Sequence, residues 1–357
     1  MEFGIQFFPD VGPDEKSAQD YWNESLYLAE KGEAYGYGHV RTVEHYFHPY
    51  GGYSTNPIVF LAAASQRTKT MRLITGAVLP IFNHPLKLAG EIGMLDAISN
   101  GRLEVGFARA FMAHEFRTLG RSMDESRARF AEGVEQIRRL LEEENVTSHG
   151  EFYSFDKVTS LPRPTQKPRP PFWIATTASA ESQIAAAKGG HSIMTVPIGG
   201  PGQARKVIDT YREAWTAEGR PGKGRVMIGL HMYCAPTQEE AERRAKPRVE
   251  NYFKTLLDAH LSYQGPVSKD YPANDKMVDA MRRATFEDRM KNGVVWVGTP
   301  ARLREQIEGF VEECGGIDKI SLQINFHDMP ADEAEASMRL FGEEVIPYFK
   351  KKYGDAP

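Results

Sequence analysis

Short runs rich in β-branched and aromatic residues alternate with amphipathic helical stretches from one end of the chain to the other. That alternation restricts the fold more than any other feature. The strand-like runs fall at residues 3–8, 38–43, 71–79, 102–107, 172–176, 192–196, 226–233 and 317–324. Between them, helix starts carry their own signatures: Ser17 with Asp20, Asn56-Pro57, Ser122 with Glu125, Thr237 with Glu240, and Thr299-Pro300. One apolar stripe, Phe130, Val134, Ile137 and Leu141, comes after the third of these, and a last helix is predicted over 331–350. The run at 71–79 is almost continuously apolar, the pattern of a parallel strand covered on both faces. Eight such units in 357 residues predict one α/β domain over 1–357, a TIM (β/α)8 barrel with insertions. An open doubly wound sheet shares this periodicity, but the Gly-x-Gly-x-x-Gly that a dinucleotide-binding sheet needs after its first strand is missing.

Two stretches break the rhythm. At 146–171, Phe152, Tyr153 and Phe155 predict a small hairpin, followed by an extended connector through Pro162, Pro164, Pro168, Pro170 and Pro171. Residues 259–293 are polar and too long for an ordinary barrel loop, so they read as a mobile insertion over the barrel mouth rather than a second domain. With 26% charged residues and a net charge of -4, the chain presents no global basic field for nucleic acid. Cys234 and Cys314 are far apart and read as buried thiols of a reducing compartment. The N-terminus has no basic segment or apolar leader, and no apolar run reaches about 18 residues. A cytoplasmic protein without a membrane anchor is the expectation.

In a parallel barrel the chemistry gathers where strands end. His45 comes directly after the second strand, flanked by Glu44, Tyr46 and His48. Its imidazole titrates near neutrality and suits a general base, although a loop histidine bonded to a carbonyl would leave the same trace. Glu44 would orient it or pair locally. Arg109 ends the fourth strand, where a guanidinium can grip a phosphate on two edges, with Arg127 close enough in sequence to assist. Thr176, Thr177 and Ser179 open a helix after the fifth strand, where hydroxyls and free N–H groups form a second anion cradle. Two cradles imply a phosphorylated ligand. Thr75-Gly76-Ala77 places small residues inside a large apolar strand, which fits either tight packing or the close approach of a flat ring. His84, His191 and His231 are scattered, so no metal site is expected.

Several of these stretches, taken in order, resemble the bacterial luciferase family of flavin-dependent monooxygenases. They are Glu44-His45 with its aromatic neighbours, Asn56-Pro57, Val78-Leu79-Pro80 with His84-Pro85, Gly101-Arg102 through Arg109, Ser126-Arg127-Ala128, Val297-Gly298-Thr299-Pro300 and Ser337-Met338-Arg339-Leu340-Phe341. The resemblance implies that Arg109 and the Thr176-Thr177 segment hold the phosphate of reduced FMN and that His45 is the catalytic histidine. It also implies a non-proline cis peptide at Thr75-Gly76 against the flavin ring, and a 259–293 loop that shields the site from water. The family's reactive cysteine is replaced by Ala108 and an acidic residue by Thr176, which points to a non-luminescent relative.

The same resemblance implies a cytoplasmic homodimer, paired through the helices after strands two and three. It would take reduced FMN from an NAD(P)H:flavin reductase and use O2, through a C4a-hydroperoxide, to oxygenate a small organic substrate. Two alternatives stay open on these residues: a deazaflavin-dependent dehydrogenase of the same superfamily, and a flavin-binding protein without catalysis.

Overall fold

The computed structural model describes residues 1–177, 179–263, 268, 271, 278, 279 and 282–354. Eight parallel strands close into a ring: β1 (Glu2–Phe7), β2 (His39–Thr42), β3 (Arg72–Thr75), β4 (Leu103–Phe107), β7 (Phe172–Ala175), β8 (Ser192–Thr195), β9 (Val226–Cys234) and β11 (Lys319–Gln323). Each pairs with its neighbours in parallel register, and β8–β9 closes the circle. The open-sheet alternative is therefore excluded. Between β4 and β7 lies the expected hairpin, β5 (Val146–His149) with β6 (Ser154–Val158), and the connector after it carries cis bonds at Leu161-Pro162 and Lys167-Pro168.

Side chains alternate as the pleat requires. Val105 and Phe107 of β4 point out into the main hydrophobic core beneath the helices, whereas Ile74, Trp173, Met194 and Met227 pack together inside the ring. Helix α1 (Ala18–Ala34) starts on Ser17, whose hydroxyl accepts the Asp20 N–H, and α8 (Gln238–Leu261) starts on Thr237 in the same way. Asn100 and Gly101, just past the helix Pro85–Ile98, both take positive φ, which ends that helix. Both cysteines are free and buried. No helix among the described residues is long and apolar enough to cross a membrane.

Four details differ from the sequence reading. Strand β3 stops at Thr75 instead of running to residue 79, because the chain turns out of the ladder at Gly76-Ala77. Ser122 is not a helix cap: its hydroxyl accepts the Asp124 N–H in a local turn, and α5 (Ser126–Glu142) begins after Glu125. The last helix is two helices, Ala331–Glu344 and Ile346–Tyr353, parted at Val345 just before Pro347. A further strand, β10 (Val295–Gly298), lies outside the ring and pairs with the far end of the nine-residue β9. Of the insertion expected at 259–293, the first residues belong to α8 and a helix occupies Phe286–Lys291, while much of the stretch between lies outside the described residues.

The floor of the barrel is ionic. Lys319, 2% exposed, reaches Glu2 Oε1 at 2.7 Å and Glu104 Oε1 at 3.5 Å. Glu2 also meets His39 Nδ1 at 2.6 Å, and Glu104 accepts from Arg72 Nε at 3.0 Å and Trp173 Nε1 at 2.6 Å. At the opposite end, just past β1, the Asp10 carboxyl is buried, with Oδ1 accepting the His327 N–H at 2.6 Å and Oδ2 without a partner.

Removing the cation from the floor leaves the buried Glu104 and the partly buried Glu2 short of a partner, so Lys319→Met should cost about 3 to 5 kcal/mol in urea unfolding. A loss below about 1 kcal/mol would mean that the remaining pairs carry the floor alone. Asp10 gives a pH signature. Burial raises its carboxyl from 3.8 to about 7, so the native state holds a proton that the unfolded chain releases. Its contribution is complete below the unfolded value and is lost as pH rises through about 7. Asp10→Asn should therefore gain stability relative to the unmodified chain between about pH 4 and pH 8, by roughly 2 to 4 kcal/mol, in thermal melts across that range.

Candidate active site

The loop after β2 is tied down by its own backbone. Ser54 Oγ donates to Val43 O at 2.6 Å, and His45 N–H donates to Ser54 O at 3.0 Å. His45 is thereby fixed in a box of aromatic rings, with centroids at 5.5 Å for Phe8, 5.3 Å for Tyr50 and 5.8 Å for Phe111. Its Nδ1 lies 2.9 Å from Glu115 Oε1, an oxygen that also accepts the Tyr46 N–H at 2.9 Å. A buried carboxylate that accepts from both sides holds the imidazole proton on Nδ1 and leaves Nε2 free for chemistry. Glu115 lies in α4 (Ala113–Thr118), and sequence reasoning missed it: nothing marks one glutamate in a short polar helix until the fold sets it beside a histidine 70 residues away.

Glu44 does not touch His45. Its carboxyl turns to the loop after β3, accepting Leu79 N–H at 3.0 Å, Asn83 Nδ2 at 2.9 Å and the Tyr46 hydroxyl. Burial pushes it up to about 7 against the pull of these three donors. Glu44 thus pairs locally, the second of the two roles expected of it, and fastens the β3 loop to the β2 loop, while the carboxylate that meets His45 is Glu115.

Where β3 ends, Thr75 Oγ1 accepts Gly106 N–H at 2.8 Å and donates to Gly106 O at 2.9 Å. The non-proline cis bond comes next, at Gly76-Ala77, one bond later than the resemblance implied. What approaches Gly76 closely is the Arg41 guanidinium, from inside the barrel: a Cβ on Gly76 would lie 2.0 Å from Arg41 Nε. Ala77 and Ala108 pack with Ala175 and Met194 at the top of the ring.

The anion cradle assembles from neighbouring strands. Phe107 pairs with Ile174, the last rung between β4 and β7, and Arg109 and Thr176 each come two residues after that rung in their own segments. Both carry a buried polar atom with no partner, Arg109 Nη1 and Thr176 Oγ1. Buried donors left unmet are rare unless a ligand or solvent meets them. Thr177 is exposed, and Ser179 caps α6 (Ala180–Lys188) by accepting Ser182 N–H. Arg127 Nη1 reaches Glu181 in the first turn of that helix at 2.6 Å, so α5 and α6 meet across the cradle. Tyr271 closes its outer side: the Arg109 guanidinium sits 4.6 Å from its ring centroid, and its hydroxyl bonds to Ala110 O and Ser126 Oγ at 3.0 Å each. Among the described residues no cluster of histidine, cysteine or carboxylate side chains could hold a metal.

Comparison with known proteins places the chain among monooxygenases of the same fold. The chain is 44% identical to the monooxygenase RslO1 from Streptomyces bottropensis, whose crystal structure superposes with a TM-score of 0.86 over 98% of this chain and 100% of that one. It is 28% identical to the oxygenase component of a flavin-dependent trigonelline monooxygenase from Acinetobacter baylyi, over 99% of this chain and 97% of that protein. The oxygenating constituent of 3,6-diketocamphane monooxygenase from Pseudomonas putida, solved with FMN, shares the fold at a TM-score of 0.81 and 22% identity, covering 97% of this chain and 98% of that one. Residues 1–316 match the family of luciferase-like monooxygenases, to which this chain belongs.

Proposed function

We propose that the protein is the oxygenase of a two-component system that binds reduced FMN, supplied by a separate NAD(P)H:flavin reductase, and inserts one atom of O2 into a small organic substrate. The observation that carries this reading is the pair of unmet buried groups, Arg109 Nη1 and Thr176 Oγ1, each two residues past the last rung between β4 and β7, with Thr176 shortly before the α6 N-terminus. A guanidinium, a hydroxyl and a helix start suit a phosphate monoester dianion, and the cradle fits that end of FMN. When bound, reduced FMN supplies the electron pair with which O2 is activated, one oxygen going to substrate and the other leaving as water.

The chain's own residues do the rest. Arg109, Thr176, Thr177 and Ser179 hold the phosphate, while Ala77 and Ala108 leave room for a flat ring over the mouth. His45 Nε2 takes or returns a proton at the reacting centre, with Glu115 keeping the imidazole in the tautomer that makes Nε2 the acceptor. Phe8, Tyr50, Phe111 and Tyr252 wall the site with aromatic surface and exclude water from it. The relatives named as monooxygenases, one of them an oxygenase component, support the two-component arrangement.

The outer faces of α2 (Pro57–Arg67) and α3 (Pro85–Ile98) expose Val59, Met94 and Ile98, apolar side chains that a second copy would cover. The protein is a homodimer on this reading, and sedimentation at micromolar concentration should give twice the chain mass; a monomer there removes the pairing.

Anaerobic titration with reduced FMN followed by admission of O2 tests the function. The unmodified protein should consume oxygen and form an oxygenated product from a library of aldehydes, amines and aromatic compounds. Arg109→Ala should lose about 1.5 to 3 kcal/mol of affinity for FMN but far less for riboflavin, and His45→Ala should keep FMN while slowing product formation by about 10² to 10⁴. Hydride transfer to a deazaflavin with no oxygen uptake would place the protein with the dehydrogenases of its superfamily instead.

A further inference from the structure

Arg41 is a buried cation without a carboxylate. It projects from β2 into the upper barrel, donating from Nη1 to Gln6 Oε1 at 2.6 Å and from Nη2 to Gly76 O at 2.9 Å, while Nε is buried and unmet. No acid lies within ion-pair distance of it among the described residues, although every charge on the barrel floor is paired. Buried arginines are otherwise found with an anion, because an uncompensated charge costs several kcal/mol.

The fold has made room for this one. A Cβ on Gly76 would fall 2.0 Å from Arg41 Nε and one on Gly229 would fall 2.9 Å from Nη1, so glycine at two positions vacates the space the guanidinium fills. The groups that face it are the Gln6 amide from β1, the Gly76 carbonyl after β3, the Gly229 backbone from β9 and the Tyr252 phenol from α8. None is an anion at neutral pH, and the side chain, though lowered by burial to about 10, stays charged there.

We infer that Arg41 is the countercharge for the reduced, anionic form of the bound flavin. The inference rests on the flavin reading above, which sets the isoalloxazine against the Gly76-Ala77 peptide whose inner side the guanidinium occupies. Two electrons and one proton turn the neutral oxidised ring into a monoanion, so a fixed positive charge behind that peptide favours the reduced form over the oxidised one. Arg109 cannot make this distinction, because the phosphate has the same charge in both redox states. The barrel thus selects the form of flavin that the reaction consumes and releases the form it leaves behind.

The test measures dissociation constants for oxidised and, anaerobically, reduced FMN in the unmodified protein, Arg41→Met and Arg41→Lys. Arg41→Met should weaken reduced FMN at least tenfold more than oxidised FMN, equivalent to a midpoint potential about 30 mV more negative, and Arg41→Lys should recover most of the gap. Equal losses for both forms in folded Arg41→Met would reduce the side chain to a filler of the two glycine spaces. Should neither variant fold, the unmodified protein decides: its bound reduced FMN should keep the anionic absorption spectrum at least one pH unit below the point where free reduced FMN takes up its proton, and protonation at the same pH overturns the inference. Failure of the unmodified protein to bind FMN in either state would instead overturn the flavin reading, and Arg41's role with it.

Discussion

The reciprocal hydrogen bonds between the Thr75 hydroxyl and the Gly106 backbone hold the point on which the mouth of the barrel depends. A ladder between β3 and β4 would otherwise run on and carry residues 76–79 up as a regular strand. One side-chain hydroxyl replaces that rung, satisfying both polar groups of Gly106 while the chain swings out at Gly76 and rejoins β4 at Val78. Gly106 must be glycine for the same reason, since a Cβ there would lie 2.2 Å from Thr75 O. The displaced peptide is then gripped from below by Arg41, and the loop beyond it is fastened by Glu44 through Leu79 and Asn83.

Charge is distributed unevenly along the barrel axis. At the floor, Lys319, Glu2, His39, Glu104 and Arg72 neutralise one another, which fixes the strand ends without leaving a field. Towards the mouth, among the described residues, Arg41 has no carboxylate partner, the Glu115 carboxylate is taken up by His45 and the Tyr46 N–H, and burial raises the acids Asp10 and Glu44 to about 7. The result is two guanidinium groups unpaired among the described residues, Arg41 inside the ring and Arg109 at one side of the mouth, next to a His45 site bordered by aromatic rings. On the flavin reading proposed above, these two fixed cations face the two ends of an anionic, phosphorylated guest, and their preorganisation costs nothing at the moment of reaction.

Much of this is legible in the chain alone, because closely spaced signals are local. Eight strand runs, the caps at Ser17, Thr237 and Thr299 and the small hairpin all depend on residues a few positions apart. His45, Arg109 and Thr176 are legible because strand ends are where barrels concentrate polar groups. What escapes depends on register between distant segments. Glu115 reaches His45 across 70 residues, and Arg41 is marked as interior only once β2 has paired with β1 and β3. Ser122 misleads because a serine followed by a glutamate fits a local turn as well as a cap. The strand Val295–Gly298 escapes because four residues beside a strong helix signal carry too little pattern of their own.

The nine-residue length of β9 has a mechanical consequence for the stretch beyond α8. Its first half belongs to the ring, pairing with β8 and β11, while its last four residues carry β10. The excursion between them therefore leaves from β9 and returns to β9, its two ends clasped by one continuous strand. Once the ends of a loop are joined, doubling its length adds only about 0.6 kcal/mol of closure entropy. Exchanging this span would leave the ladder of the ring intact but would take Tyr271 with it, so the outer wall of the anion cradle travels with the tethered span and not with the barrel.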